Sequence, residues 1–128
     1  MDFKNKAKGI VHSDLGKTNI IVSDTGKIVP IDFGLSGISY YYMDLGSLFS
    51  HFNKSEQQRV ILKGYNSIIK DYIEIKYIEN FMVYQIILFI ATHIEKADKL
   101  KWFSSAIDRW NKEFFNPFIN NIRFLKII

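Results

Sequence analysis

Residues 10–34 read IVHSDLGKTNIIVSDTGKIVPIDFG. The stretch alternates short apolar runs with turn chemistry, which is the grammar of small strands rather than of a helix. Gly9 to Val11 forms a first strand candidate and Asn19 to Val22 a second. Ser23-Asp24-Thr25-Gly26 is a turn, with Gly26 free to take a positive φ. Lys27 to Ile31 then pairs back across that turn as a hairpin.

Downstream, the grammar changes to helices. Met43 to Phe52 reads as a short helix. Ser55 with Gln58 has the spacing of a capping box, and a helix follows to about Ile73, its apolar residues recurring at three and four. Ile78 to Ala97 is apolar nearly all round and predicts a central buried helix. Asp98 to Phe115 is amphipathic, and Asn116 before Pro117 predicts the cap of a last helix. The fold class expected is therefore α+β, mainly α. One partial domain spans 1–128: a loop-and-hairpin segment over 1–41, then a helical subdomain over 42–128.

Bulk properties narrow the classes. The chain has 128 residues, 48% of them hydrophobic, enough for a core. It has no cysteine, which excludes disulfides and thiolate metal sites and accords with a cytoplasmic location. Asn80 to Ile94 is a charge-free run of fifteen residues, shorter than a membrane span, so no membrane partner is expected. The start, Met1 to Lys8, is polar and basic with no apolar run behind it, unlike a signal peptide. Residues 1–50 hold five Lys and five Asp, so the net charge of +4 falls entirely on residues 51–128. Those basic residues are dispersed or interleaved with acids, which argues against nucleic-acid binding.

The chemistry lies in the spacing. His12-x-Asp14 is followed five residues on by Asn19, and Asp32-Phe33-Gly34 begins thirteen residues after Asn19. Asp44 lies twelve residues further. Singly, each residue is commonplace. Six fixed positions together arise by chance on the order of 10⁻⁸ per starting point at average residue usage. A loop between two strands presents Asp14 and Asn19 on one side, and the hairpin returns the chain to deliver Asp32 beside them. One carboxylate is then free to accept a proton. A carboxamide oxygen and a second carboxylate are paired as hard ligands suited to Mg²⁺. Phosphoryl transfer uses those parts.

This pattern resembles the catalytic loop and metal segment of the protein-kinase-like fold, and more narrowly the aminoglycoside phosphotransferase and choline kinase family. Members commonly show His-Gly-Asp-Leu-His-x-x-Asn and Ile-Asp-Phe-Gly. The motif likeness covers Gly9 to about Phe49. It implies that Asp14 is the catalytic base or hydroxyl-orienting residue, His12 a brace for the loop, Asn19 and Asp32 the Mg²⁺ ligands, and Asp44 the acceptor of hydrogen bonds from the loop backbone. ATP is implied as phosphoryl donor and a small-molecule hydroxyl as acceptor. Lys17 is a candidate phosphate contact. Ser13 stands where the family has Gly, and Gly16-Lys17-Thr18 replaces a His-Pro-Gly-like stretch.

The glycines, at 9, 16, 26, 34, 37, 46 and 64, form no Gly-x-Gly-x-x-Gly. The expectation is a C-terminal lobe alone, inactive until a nucleotide-binding N-terminal lobe is supplied, and prone to self-association. A non-catalytic remnant or interaction module is the alternative, as is an atypical kinase like that of the tRNA threonylcarbamoyl-modifying complex, which shares Ile-Asp-Phe-Gly-Leu-Ser at Ile31 to Ser36. The acceptor side should be helical. Trp102, Trp110, Phe103 and Tyr84 are candidates to stack on a ligand or to fill the core. Because the helices carry the +4, the acceptor expected is neutral or weakly charged rather than an aminoglycoside polycation, unless Glu95, Asp98, Asp108 and Glu113 form an acidic pocket.

Overall fold

The computed structural model describes residues 7–69 and 71–127. It is mainly helical with two small antiparallel sheets. The first pairs β1 (Lys8–Val11) with β4 (Gly37–Tyr40), placing Gly9 opposite Ser39 and Val11 opposite Gly37. Between those strands the chain makes an excursion with its own hairpin, β2 (Ile20–Val22) against β3 (Ile28–Pro30). The hairpin turn closes as the residues dictate. Gly26 has φ +79°, its N–H donates to Ser23 O at 2.8 Å, and Ser23 Oγ accepts from the Lys27 N–H. Strand β4 was not foreseen. Gly37-Ile38-Ser39-Tyr40 has weak strand grammar and becomes a strand by pairing with residues some thirty positions earlier.

The helical part begins at α1 (Tyr42–His51), followed by α2 (Ser55–Ile68), α3 (Ile75–His93), α4 (Phe103–Trp110) and α5 (Asn116–Ile119). The core lies where α1 crosses α3. Leu45 and Phe49 from α1 meet Ile78 and Met82 from α3, and Ile61, Leu62 and Tyr65 of α2 pack against them. Gly46 permits a close approach: a Cβ there would lie 2.7 Å from the Phe81 carbonyl carbon. Buried Glu79 uses one carboxylate oxygen, Oε1, to accept the Phe124 and Leu125 N–H groups, pinning the C-terminal segment to α3.

Several boundaries depart from the sequence reading. Helix α2 ends at Ile68, short of Ile73. Its capping box does not form: the N-cap is Lys54 with no side-chain cap, and Gln58 is buried with its amide directed to Phe49 O at 3.5 Å. Asn116 does not cap a separate helix either. It follows a π-helical turn, Asn111–Phe115, that continues from α4. Pro117 cannot donate the helical hydrogen bond its position calls for, and a widened turn ahead of it accommodates the lost donor.

Helix α3 is buried on one face only. Ile78, Met82, Val83 and Ile86 are inside, whereas Tyr84, Ile87, Leu88 and Phe89 are exposed. The run Ile75–Lys96 is longer than the charge-free segment suggested, and by length and composition it is sufficient to cross a membrane. Within the fold, its buried face is committed to α1.

Candidate active site

The turn after β1 is built around His12 and Asp44. Asp44, in the first turn of α1, accepts from the His12 N–H through Oδ2 at 3.0 Å and from the Ser13 N–H through Oδ1 at 2.8 Å. Both carboxylate oxygens are thus spent on consecutive loop amides. From the other side, the Gln85 side chain of α3 donates to Ser13 O at 3.1 Å. Ser13 itself has φ +69°, a left-handed conformation that glycine adopts without strain. The Gly usual at this place in the resembling family has its physical reason there.

His12 is buried and links two segments. Its Nδ1 faces the Asp14 N–H at 3.3 Å, so it must accept. Its Nε2 therefore carries the proton and donates to Ile31 O at 2.8 Å. The Phe33 ring sits 4.6 Å from the imidazole, tilted by 54°. The loop that carries Asp14 is in this way tied to the segment that carries Asp32.

Asn19 ends a short 3₁₀ turn, Lys17–Asn19, just before β2. Its amide nitrogen donates to Asp14 O at 2.8 Å and to Asp14 Oδ2 at 3.0 Å. Both neighbours are acceptors, which orients the amide, and no described residue donates to Asn19 Oδ1. The Ile31 N–H donates to Asn19 O at 2.9 Å, one step beyond the Ile20–Pro30 pair. Asp32 is the next residue. It is exposed, and its φ of +60° is unusual for a residue with a side chain. The structure thus brings Asp14 and Asn19 into direct contact and sets Asp32 at the same end of the hairpin. Lys17 lies 5.2 Å from the centre of the Phe52 ring, a cation–π contact, and His51 packs against Gly16.

A carboxylate and a carboxamide oxygen fit Mg²⁺ that arrives with phosphates and keeps several waters. They do not make a self-sufficient metal cage, and among the described residues no three His, Cys, Asp or Glu side chains cluster as one.

Beside Asp14 opens a cleft of about 710 Å³. Its lining includes Ser13 and Asp14 from the loop, Gln85, Phe89 and His93 from α3, and Arg109 and Trp110 from α4. Of the aromatic residues singled out from sequence, Trp110 lines this cleft; Phe103 is buried, while Trp102 and Tyr84 are partly exposed elsewhere. None of Glu95, Asp98, Asp108 and Glu113 lines it, so the acidic pocket weighed from sequence is not built there. Arg109, His93 and Gln85 carried no sequence signal, because they come together only in the tertiary structure, where α3 meets the loop through Gln85 and meets α4 through Phe89 and Trp110.

A family model described as a phosphotransferase enzyme family matches residues 2–72, more than half of the chain. No curated protein and no solved structure matches.

Proposed function

The chain belongs to the phosphotransferase enzyme family, and from that premise we propose that it is the catalytic, metal-side lobe of an ATP-dependent kinase acting on a hydroxyl of a small molecule. The observation that carries this reading is the Asn19 side chain: its nitrogen is engaged by Asp14, leaving its oxygen for a metal beside Asp32. Asn19 and Asp32 would hold Mg²⁺, which when bound neutralises charge on the nucleotide phosphates. Asp14 orients the acceptor hydroxyl and takes its proton as the hydroxyl oxygen bonds to the γ-phosphorus and the bond to the β-phosphate oxygen breaks. The Asn19 hydrogen bond holds that carboxylate in place, and Asp44 and His12 hold the loop. Lys17 is a reserve phosphate contact that would have to leave the Phe52 ring.

In this reading the far side of the nucleotide is gripped by groups of an N-terminal lobe, supplied apart from the described residues. In the same reading the protein works in the cytoplasm on small molecules, without nucleic acid or a membrane as partner; the lack of cysteine, the dispersed basic residues and the packing of one face of α3 on α1 support those assignments.

The test uses Mn²⁺ with ATP as a paramagnetic probe. Broadening of the Asn19 and Asp32 resonances is expected in the wild type and should vanish in Asp32→Ala. Asp14→Ala should retain the broadening, yet in the two-lobe enzyme it should lower kcat by several orders of magnitude with little change in KM for ATP. Unchanged turnover in Asp32→Ala would sink the assignment.

A further inference from the structure

Among the described residues that line the cleft beside Asp14, Asp14 is the one carboxylate and Arg109 the one guanidinium. Arg109 makes no ion pair or hydrogen bond with a described residue. Glu113, one turn further on, borders a neighbouring hollow that Arg109 also touches, but it stands beyond ion-pair distance. Phe89, Trp110 and Phe114 give part of the remaining wall: Phe89 stacks one face on His93 at 3.9 Å and meets Trp110 edge-on at 5.7 Å, so the two rings form an apolar corner.

Among the described residues, a polycation would meet a guanidinium with no ion-pair partner and one carboxylate, already hydrogen-bonded to Asn19. These features suit the opposite ligand. A guanidinium presents a planar fork of donors that matches a carboxylate, and the corner between Phe89 and Trp110 suits a small flat apolar body lying on one ring against the edge of the other.

We propose that the acceptor is a small hydroxyl compound with a flat apolar body and one carboxylate, the carboxylate held by Arg109, the body lying on Phe89 and Trp110, and the hydroxyl reaching Asp14. The proposal rests on the phosphotransferase reading of the same cleft, which makes Asp14 the end where the hydroxyl lies. Arg109 is then the residue that determines specificity.

Three probes of one shape separate the charge term from the rest: 4-(hydroxymethyl)benzoate, benzyl alcohol and 4-(hydroxymethyl)benzylamine. Their affinities for the full chain are measured by NMR titration. The benzoate should bind about tenfold more tightly than the amine, a modest factor because Arg109 is exposed to solvent. Arg109→Gln should erase that difference while leaving benzyl alcohol unchanged, which also shows that the variant is folded. Tightest binding of the amine, a charge preference that survives Arg109→Gln, or no binding of any of the three would overturn the proposal. Mn²⁺–ATP broadening at Asn19 and Asp32 is recorded in the same samples. Its loss with the charge preference intact would fell the phosphotransferase reading and leave the carboxylate site standing; the reverse would fell the carboxylate site alone.

Discussion

Asp44 is the residue through which α1 controls the loop. Its two oxygens serve two consecutive backbone N–H groups, those of His12 and Ser13. A hydrogen bond to a charged group contributes about 1.5–3 kcal/mol, and a partly buried amide left without an acceptor costs a similar amount. Asp44→Ala should therefore destabilise the fold by roughly 2–4 kcal/mol. Amide hydrogen exchange gives a site-specific readout: His12 and Ser13 should lose protection while the hairpin amides Ile21 and Val29, which face each other in a hydrogen-bonded pair, keep theirs. Protection at His12 and Ser13 that survives the substitution would mean that Gln85 and the β1–β4 pairing suffice to hold the loop. Ser13 shows the same economy from the other direction. It holds a left-handed φ despite its side chain, and Asp44 and Gln85 fasten the two ends of that strained residue.

Between elements, α1 comes close to the backbone of α3 at Gly46. An added methyl group would meet the Phe81 carbonyl carbon at 2.7 Å and the Met82 nitrogen at 3.0 Å. Those are backbone atoms, so the helices themselves must separate. Replacing Gly by Ala inside a helix is intrinsically favourable by about 0.5–1 kcal/mol. Overpacking costs about 1–3 kcal/mol and wins here, because nothing flexible can yield. Gly46→Ala is expected to lower stability by about 1–2 kcal/mol in urea unfolding. A raised midpoint would show that α1 and α3 slide apart freely. The same pair of helices positions the site, since α1 supplies Asp44 and α3 supplies Gln85. Loss of Gly46 should therefore also weaken Mn²⁺–ATP broadening at Asn19.

For the whole molecule, alkaline pH probes the packing of α2 on the core. Burial pushes the Tyr65 hydroxyl up to about 12 from an ordinary value of 10.0, and the negative charge of Asp44 adds to the shift. Burial raises Tyr42 in the same direction. The folded state thus keeps protons that the unfolded chain has already released, and stability must fall as pH rises between about 10 and 12. It is fully present below pH 10. Tyr65→Phe should flatten part of that decline, read as the urea midpoint against pH, with Tyr42, and Lys76 held by Glu74, contributing in the same direction. An alkaline limb unaltered by the substitution would place the titration elsewhere.

The molecule also shows a broad apolar exterior on its strands and on the segment between β3 and β4, where Ile10, Ile38, Val22, Ile28, Leu35 and Phe33 are each more than half exposed. Such a surface favours self-association or a covering segment. Residues 1–128 by themselves are expected to self-associate, to bind ATP weakly and to transfer no phosphoryl group above background, because in-line transfer needs the phosphates held from both sides. Sedimentation and a phosphotransfer assay check this. A monodisperse monomer that phosphorylates a small alcohol at the rate of an ordinary kinase would refute it.

Local chemistry was enough to read the segment around the site. The apolar runs flanking Ser23 to Gly26 dictate a hairpin, and the spacing of Asn19 and Asp32 about that hairpin brings the two residues to one end of it. These features depend on neighbours within about twenty positions, and so the sequence alone determined them. What lay beyond it depends on contacts between distant residues. Gly37 to Tyr40 is a strand because Lys8 to Val11 lies beside it. Gln58 turns from Ser55 toward the Phe49 carbonyl because burial rewards that partner. Helix α3 is buried on one face because α1 meets it there, which no hydropathy pattern encodes. The cleft is the furthest case: Asp14 of the loop, Phe89 of α3 and Arg109 of α4 come to line one hollow although they stand far apart in the chain. Tertiary structure alone decided its charge and shape, because both are sums over side chains whose separation in sequence carries no information about their distance in space.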